Sequence, residues 1–155
     1  MSDSIAFVQK GSTASPLIVL NSFGDEWKHI IEALDSLDET SYSMLAVTCS
    51  EWNKDLSPWD ADAVFKGEPD FKGGADDYLK KLTEEILPDA IKEHDLKPSA
   101  TYVAGYSMAG LFSLYSLYKA ASNNSSVLIN LVIQAPESWI IKPVGTPSAL
   151  RLSPS

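Results

Sequence analysis

One hexapeptide carries recognisable chemistry: Gly105-Tyr106-Ser107-Met108-Ala109-Gly110. A strand leading into a sharp turn at a serine, with a helix starting at once, presents the serine Oγ as a nucleophile. The flanking positions must be small, because the turn brings backbone segments together. Here Thr101–Ala104 reads as the strand, and Leu111, Phe112, Leu114, Tyr115 and Tyr118 continue as an apolar helix. The geometry places Ser107 at the positive end of that helix, where the Met108 N–H would face a developing oxyanion. The spacing is G-x-S-x-A, with Ala109 where a second glycine is usual and Gly110 following it. A phosphate-binding reading of the same glycines fails, since the Lys-Ser/Thr pair of a P-loop and the dinucleotide spacing are both missing.

The elements around this turn alternate between strand and helix. Ser4–Val8 is a short first strand, and Pro16–Leu20 is a continuous apolar run that suits a strand covered on both faces. Glu26–Leu37 sets Trp27, Ile30, Ile31, Leu34 and Leu37 on one helical face. Met44–Thr48 is the next strand. Residues 50–75 are rich in Asp, Gly, Pro and Trp and show no regular period; a loop of that length is usually functional or mobile. Asp76–His94 reads as a helix interrupted near Pro88. Met108–Ala121 is a helix apolar nearly all round, and Val127–Ile133 is a further strand. This pattern predicts an α/β fold with a mostly parallel sheet, right-handed crossovers and helices on both faces. Ligands in such sheets bind beyond the carboxyl ends of the strands. Asn21-Ser22, Thr48-Cys49-Ser50, Gly105-Tyr106-Ser107 and Gln134 share that rim.

Composition narrows the function classes. The 155 residues are 45% hydrophobic and 10% aromatic, which fits one globular domain spanning 1–155. A net charge of −9 argues against a nucleic-acid partner or an anionic membrane surface. Cys49 is the single cysteine, so no internal disulfide forms, and no Cys/His metal spacing exists. Residues 1–15 lack the pattern of a signal peptide, and no apolar run approaches 18 residues, so a cytoplasmic location is expected. No cofactor or metal is expected. Asp60-Ala61-Asp62 and Asp76-Asp77 lack calcium-loop spacing and read as solvated acids. Asn123-Asn124-Ser125 reads as turn chemistry.

Four stretches carry a resemblance: LIVLNSFGDEW (17–27), TCSEWNKDLSPWDADAVFKG (48–67), GGADDYLKKLTEEILP (73–88) and YVAGYSMAGLFSLYSLYKA (102–120). Together they resemble the bacterial esterases of the α/β-hydrolase superfamily, in the esterase D or enterochelin-esterase style. The resemblance implies an α/β-hydrolase sheet over about residues 1–121, a small-molecule ester substrate, and Ser107 as the acyl-forming nucleophile. It implies a second backbone oxyanion donor from Ser22 or Phe23, beside Met108. It also implies a substrate cleft formed by Asn21, Trp52, Pro58, Trp59 and Tyr106.

The base that such a serine needs is harder to find. In this fold the chain order is serine, acid, histidine. His29 and His94, the only histidines, both precede Ser107 and read as ordinary surface or structural residues. Glu137 is the only acid after Ser107 and the candidate triad acid. Residues 120–155 hold only Glu137, Lys142 and Arg151 of the 33 charged side chains, and four of the nine prolines fall in the last 20 positions. Residues 122–155 therefore read as a divergent end. The expectation is a C-terminus truncated or frame-shifted after about Ala121, leaving the fold incomplete there. A sheet edge exposed in this way would favour a homo-oligomer or a complementing chain. Two functions compete: a serine carboxylesterase impaired by the missing base, and a non-catalytic binding or interaction module on the same fold. A Cys49 nucleophile has neither a glycine elbow nor a later histidine.

Overall fold

The computed structural model describes residues 4–34, 38–122 and 129–130. In chain order the described strands are β1 (Ile5–Gln9), β2 (Leu17–Asn21), β3 (Ser43–Val47), β4 (Asp60–Ala61), β5 (Phe71–Lys72), β6 (Thr101–Gly105) and β7 (Ile129–Asn130). The helices are α1 (Glu26–Leu34), α2 (Trp52–Asp55), α3 (Ala75–Lys81), α4 (Leu87–Glu93) and α5 (Met108–Ser122). The main sheet has the order β1-β3-β2-β6-β7. β1 runs antiparallel to β3, while β3, β2, β6 and β7 are parallel, so the mostly parallel sheet expected from the sequence is present.

The centre of this sheet is apolar because β2, β3 and β6 are each flanked by neighbours and covered on both faces. Val19 stands beside Leu45 on one side and Val103 on the other, and all three are fully buried. Leu17, Val19, Leu45, Val47 and Val103 share a core with Tyr78, Leu82, Phe112 and Met108. Each such aliphatic side chain contributes about 1.5–3 kcal/mol by leaving water. Their alternate neighbours Leu20, Met44, Ala46 and Ala104 are also buried, and strand periodicity turns them to the opposite face. α1 meets the sheet at its β1 edge, where Trp27 stacks on Phe7 at 4.8 Å between ring centroids. The α3–α4 segment and α5 lie on the first face, where Tyr78 meets Phe112 at 5.2 Å.

The topology contains a reversal that matters for the site. After β2 the chain crosses through α1 to β3, toward the β1 edge. After β6 it crosses through α5 to β7, the other way. The carboxyl ends of β2 and β6 are adjacent, with Asn21 paired to Gly105. That is a topological switch point, where loops diverge and leave a crevice.

Three expectations change. The irregular stretch 50–75 contains α2 and a small antiparallel pairing of β4 with β5 (Asp60 opposite Lys72, Ala61 opposite Phe71), anchored by buried Leu56 and Phe71. The helix break near Pro88 takes the form of a π-helical turn at Leu82–Ile86. A proline ring clashes with the carbonyl four residues earlier, here Glu84, and widening that turn relieves the clash without ending the helix. Finally, α5 is not buried all round: Met108, Ala109, Phe112, Ser113 and Ser116 face inward, whereas Leu117 and Tyr118 are exposed. The inward serines are satisfied within the helix, Ser113 Oγ donating to Ala109 O and Ser116 Oγ to Ser113 O, each at 2.8 Å. Small inward residues let the helix lie close to the sheet. Of the strand expected at Val127–Ile133, Ile129–Asn130 pairs with β6, and the rest lies outside the described residues.

Candidate active site

Ser107 has φ +58°, a left-handed conformation that non-glycine residues adopt only where the surroundings hold them there. The turn is built from both sides. β6 ends at Gly105, and α5 begins at Met108, leaving Tyr106 and Ser107 to reverse the chain. The Ala109 N–H donates to Tyr106 O and the Leu111 N–H to Ser107 O, both at 3.1 Å. Gly105 is required by the approach of the helix. A Cβ at this position would stand 2.5 Å from Ala109 O, where ordinary contact begins at 3.4 Å. The turn thus tolerates Ala109, the departure noted in the sequence, because Gly105 supplies the space.

The Met108 N–H opens α5, in the first turn of a helix whose leading N–H groups have no intrahelical acceptor. The Met108 side chain itself is buried. Across the switch point lies the second donor loop. There the Ser22 N–H is committed, donating to Val47 O at 2.9 Å, and Ser22 Oγ accepts from the Trp27 N–H at 3.0 Å, fixing the start of α1. Of the two donors implied by resemblance, Ser22 is therefore spent on the sheet and the helix start. The Phe23 N–H makes no backbone hydrogen bond among the described residues.

A cleft of about 640 Å³ opens over Ser107. Tyr106 and Trp52 line it. Asn21, Pro58 and Trp59 do not, and each has a physical reason. Asn21 is 3% exposed and turned beneath the rim, its Oδ1 accepting from the Tyr78 hydroxyl at 2.8 Å. Pro58 and Trp59 are half-buried where the chain enters β4, packed near Gly73. The wall also includes Phe23, named from the sequence only for its backbone, and Phe65, Glu68, Asp70 and Lys72, which the sequence did not single out. Their only sequence signal was membership of a long stretch following a strand end at the rim. Phe23 and Trp52 meet edge to face at 5.1 Å, while Phe23, Phe65 and Tyr106 are each at least half exposed.

Neither histidine reaches this cleft. His29 lies on the outer side of α1, with Nδ1 3.7 Å from Glu32 Oε2. His94 caps the far end of α4, next to the amino ends of the strands, and its Nε2 is buried with no partner among the described residues. Cys49 sits half-buried behind the rim, and burial, aided by the Asp55 charge, pushes its thiol up to about 12. Such a thiol is almost wholly protonated at neutral pH and a poor nucleophile. Asp76 is spent on an ion pair with Lys119 at 2.9 Å, which holds its carboxyl below the usual range. Glu137 lies outside the described residues.

The profile of the esterase family described as "Putative esterase" matches residues 7–132, which include the serine turn, the donor loop and the described cleft wall. The chain belongs to that family. Solved structures share the fold of this esterase-family chain. An IroE-like serine hydrolase from Shewanella oneidensis matches with a TM-score of 0.62 at 20% identity, over 77% of this chain and 40% of that one. The BES protein from Bacillus cereus gives 0.57 at 20% identity, over 77% and 59%. The siderophore hydrolase EstA from Aspergillus nidulans gives 0.54 at 20% identity, over 71% and 43%. This chain thus spans only 40–59% of the length of those three structures. A search of curated proteins found no match. Among the described residues no helix is long and apolar enough to cross a membrane.

Proposed function

We propose that the chain is a serine hydrolase of the carboxylesterase type, with Ser107 as the acyl acceptor. The observation that carries this reading is the left-handed φ of Ser107 between β6 and α5, at the switch point and at the floor of the cleft. A strained serine in that place has no packing purpose, since its side chain is only part-buried and opens onto the crevice. Family membership supports the same chemistry.

In this mechanism Ser107 Oγ attacks the ester carbonyl and its proton passes to solvent. The carbonyl oxygen becomes an oxyanion held by the N–H groups of Met108 and Phe23. Collapse, with a proton taken up from solvent by the leaving oxygen, expels the alcohol and leaves an acyl group on Ser107; water then releases the acid. His29 and His94 do not line the cleft, so neither takes the Ser107 proton within these 155 residues. Removing one member of a serine triad leaves roughly 10³–10⁴-fold catalysis over water, from oxyanion stabilisation and binding. The isolated chain accordingly turns over slowly. The test is phosphonylation by a fluorophosphonate, followed by mass spectrometry: an adduct at Ser107 of the folded chain that disappears in Ser107→Ala supports the reading.

The position of His29 and His94 away from the cleft favours a second reading, a hydrolase-fold module that binds esters without cleaving them. Specific binding of an ester with no adduct on Ser107 would select it.

A further inference from the structure

The charge and ring content of the cleft point to a class of substrate. Two of its cations are already neutralised by neighbours: Lys54 pairs with Glu51, and Lys72 with Asp70 at 3.6 Å. Glu26 and Glu68 face the same cleft and form no ion pair among the described residues. The described wall therefore carries four carboxylates against two ammonium groups, a net −2. Above Ser107 the wall is aromatic: Phe23, Trp52, Phe65 and Tyr106 all contribute. Phe23 is 57% exposed and Tyr106 50%, so both rings offer surface to a ligand.

Aromatic faces beside uncompensated carboxylates suit one kind of group. A cation is attracted by the ring quadrupole and by the carboxylates together, most strongly when it is large and weakly hydrated. An anionic ester meets the reverse field, which a concave wall concentrates. Resting on the reading of Ser107 as the ester site, we infer that the cleft selects esters carrying an ammonium group close to the scissile carbonyl and rejects anionic ones.

Two readouts test this, so that failure of the inference and failure of the nucleophile assignment are separable. First, binding of phenyltrimethylammonium and of benzenesulfonate is measured by tryptophan fluorescence and calorimetry on the whole chain. At low salt the cation should bind at least about tenfold more tightly, and the preference should shrink as salt screens the wall. Second, phosphonate probes with identical reacting centres but cationic, neutral or anionic arms are compared for their rate of attachment to Ser107. The cationic probe should be fastest. In the double variant Glu26→Gln, Glu68→Gln the preference should fall at least about threefold in both assays, while Glu26→Asp, Glu68→Asp retains it. Both glutamates are exposed, so neither pair of changes threatens the fold. Equal binding of the two small ions, or tighter binding of benzenesulfonate, overturns the inference whatever Ser107 does. Attachment of all three probes to Ser107 at equal rates overturns it while leaving the nucleophile assignment intact. If no probe attaches, the nucleophile assignment fails and the binding comparison still decides the inference.

Discussion

Gly105→Ala is the most informative single change, because it perturbs the serine turn without touching Ser107. The new Cβ would stand 2.5 Å from Ala109 O against a contact limit of 3.4 Å, a deficit of about 0.9 Å. Its obstacles are the carbonyl carbon, oxygen and Cβ of Ala109, mostly backbone of the first turn of α5, so no flexible side chain can swing away. Either the start of α5 moves by nearly that distance or the strand does. Overpacking of this kind costs about 1–3 kcal/mol. In a chain of this size each kcal/mol lowers Tm by roughly 2–4 °C, so a loss of about 2–12 °C is expected. The Met108 N–H and Ser107 Oγ ride on the displaced turn, and a misplacement near 1 Å costs about 10²-fold in reaction rate. The assay is thermal unfolding alongside the rate of fluorophosphonate attachment to Ser107. Adding Ala109→Gly should restore part of the loss only, because the backbone atoms of residue 109 remain in the way. A Gly105→Ala protein with unchanged Tm and unchanged attachment rate would refute the close approach of α5 to β6.

Substitutions at three other positions probe separate parts of the molecule. At Ser107, the left-handed φ makes glycine the better replacement: Ser107→Gly should be about 1 kcal/mol more stable than Ser107→Ala in urea unfolding, and the opposite order would deny the strained turn. Tyr78→Phe removes the donor to Asn21 Oδ1 in a buried setting where Asn21 Nδ2 already has no partner among the described residues, and should cost about 1–3 kcal/mol; a change below about 0.5 kcal/mol would show that the pair is not closed in solution. Cys49, with its thiol pushed up to about 12, should react with iodoacetamide at pH 8 at least about 10²-fold more slowly in the folded chain than in urea. Because this pKa is raised for an acid that is neutral when protonated, its contribution to stability is complete below the unfolded thiol's range and is lost as pH climbs toward 12. Cys49→Ala should therefore flatten part of the alkaline decline in unfolding midpoint, and an unchanged pH profile would contradict the assignment.

The parts of the fold legible in the sequence are those whose pattern is local. The apolar runs at Leu17–Asn21 and Ser43–Val47 announce buried parallel strands, and the small residues around Ser107 announce the turn, because sterics at a turn act within a few residues. The parts that stayed hidden depend on partners far along the chain. β4 and β5 are two residues each and exist through pairing with one another, a signal too short for periodicity. The wall residues Phe65, Glu68, Asp70 and Lys72 reach the cleft because that hairpin folds over the rim, not because of any motif they form. Asn21 illustrates the limit from the other side. It lies at the rim as the strand end requires, yet the Tyr78 hydroxyl on another element turns its side chain inward. The Ser22 amide is likewise claimed by β3, and resemblance alone left Ser22 and Phe23 equivalent.

The central claim is that a strained, part-buried Ser107 at the switch point is an acyl acceptor. Intact-mass and peptide mapping after incubation with a fluorophosphonate tests it most directly. The account predicts one slowly formed adduct, located on Ser107, dependent on the native fold and missing from Ser107→Ala. An adduct at another residue, an adduct of equal yield in the unfolded chain, or none at all on the native protein would contradict it.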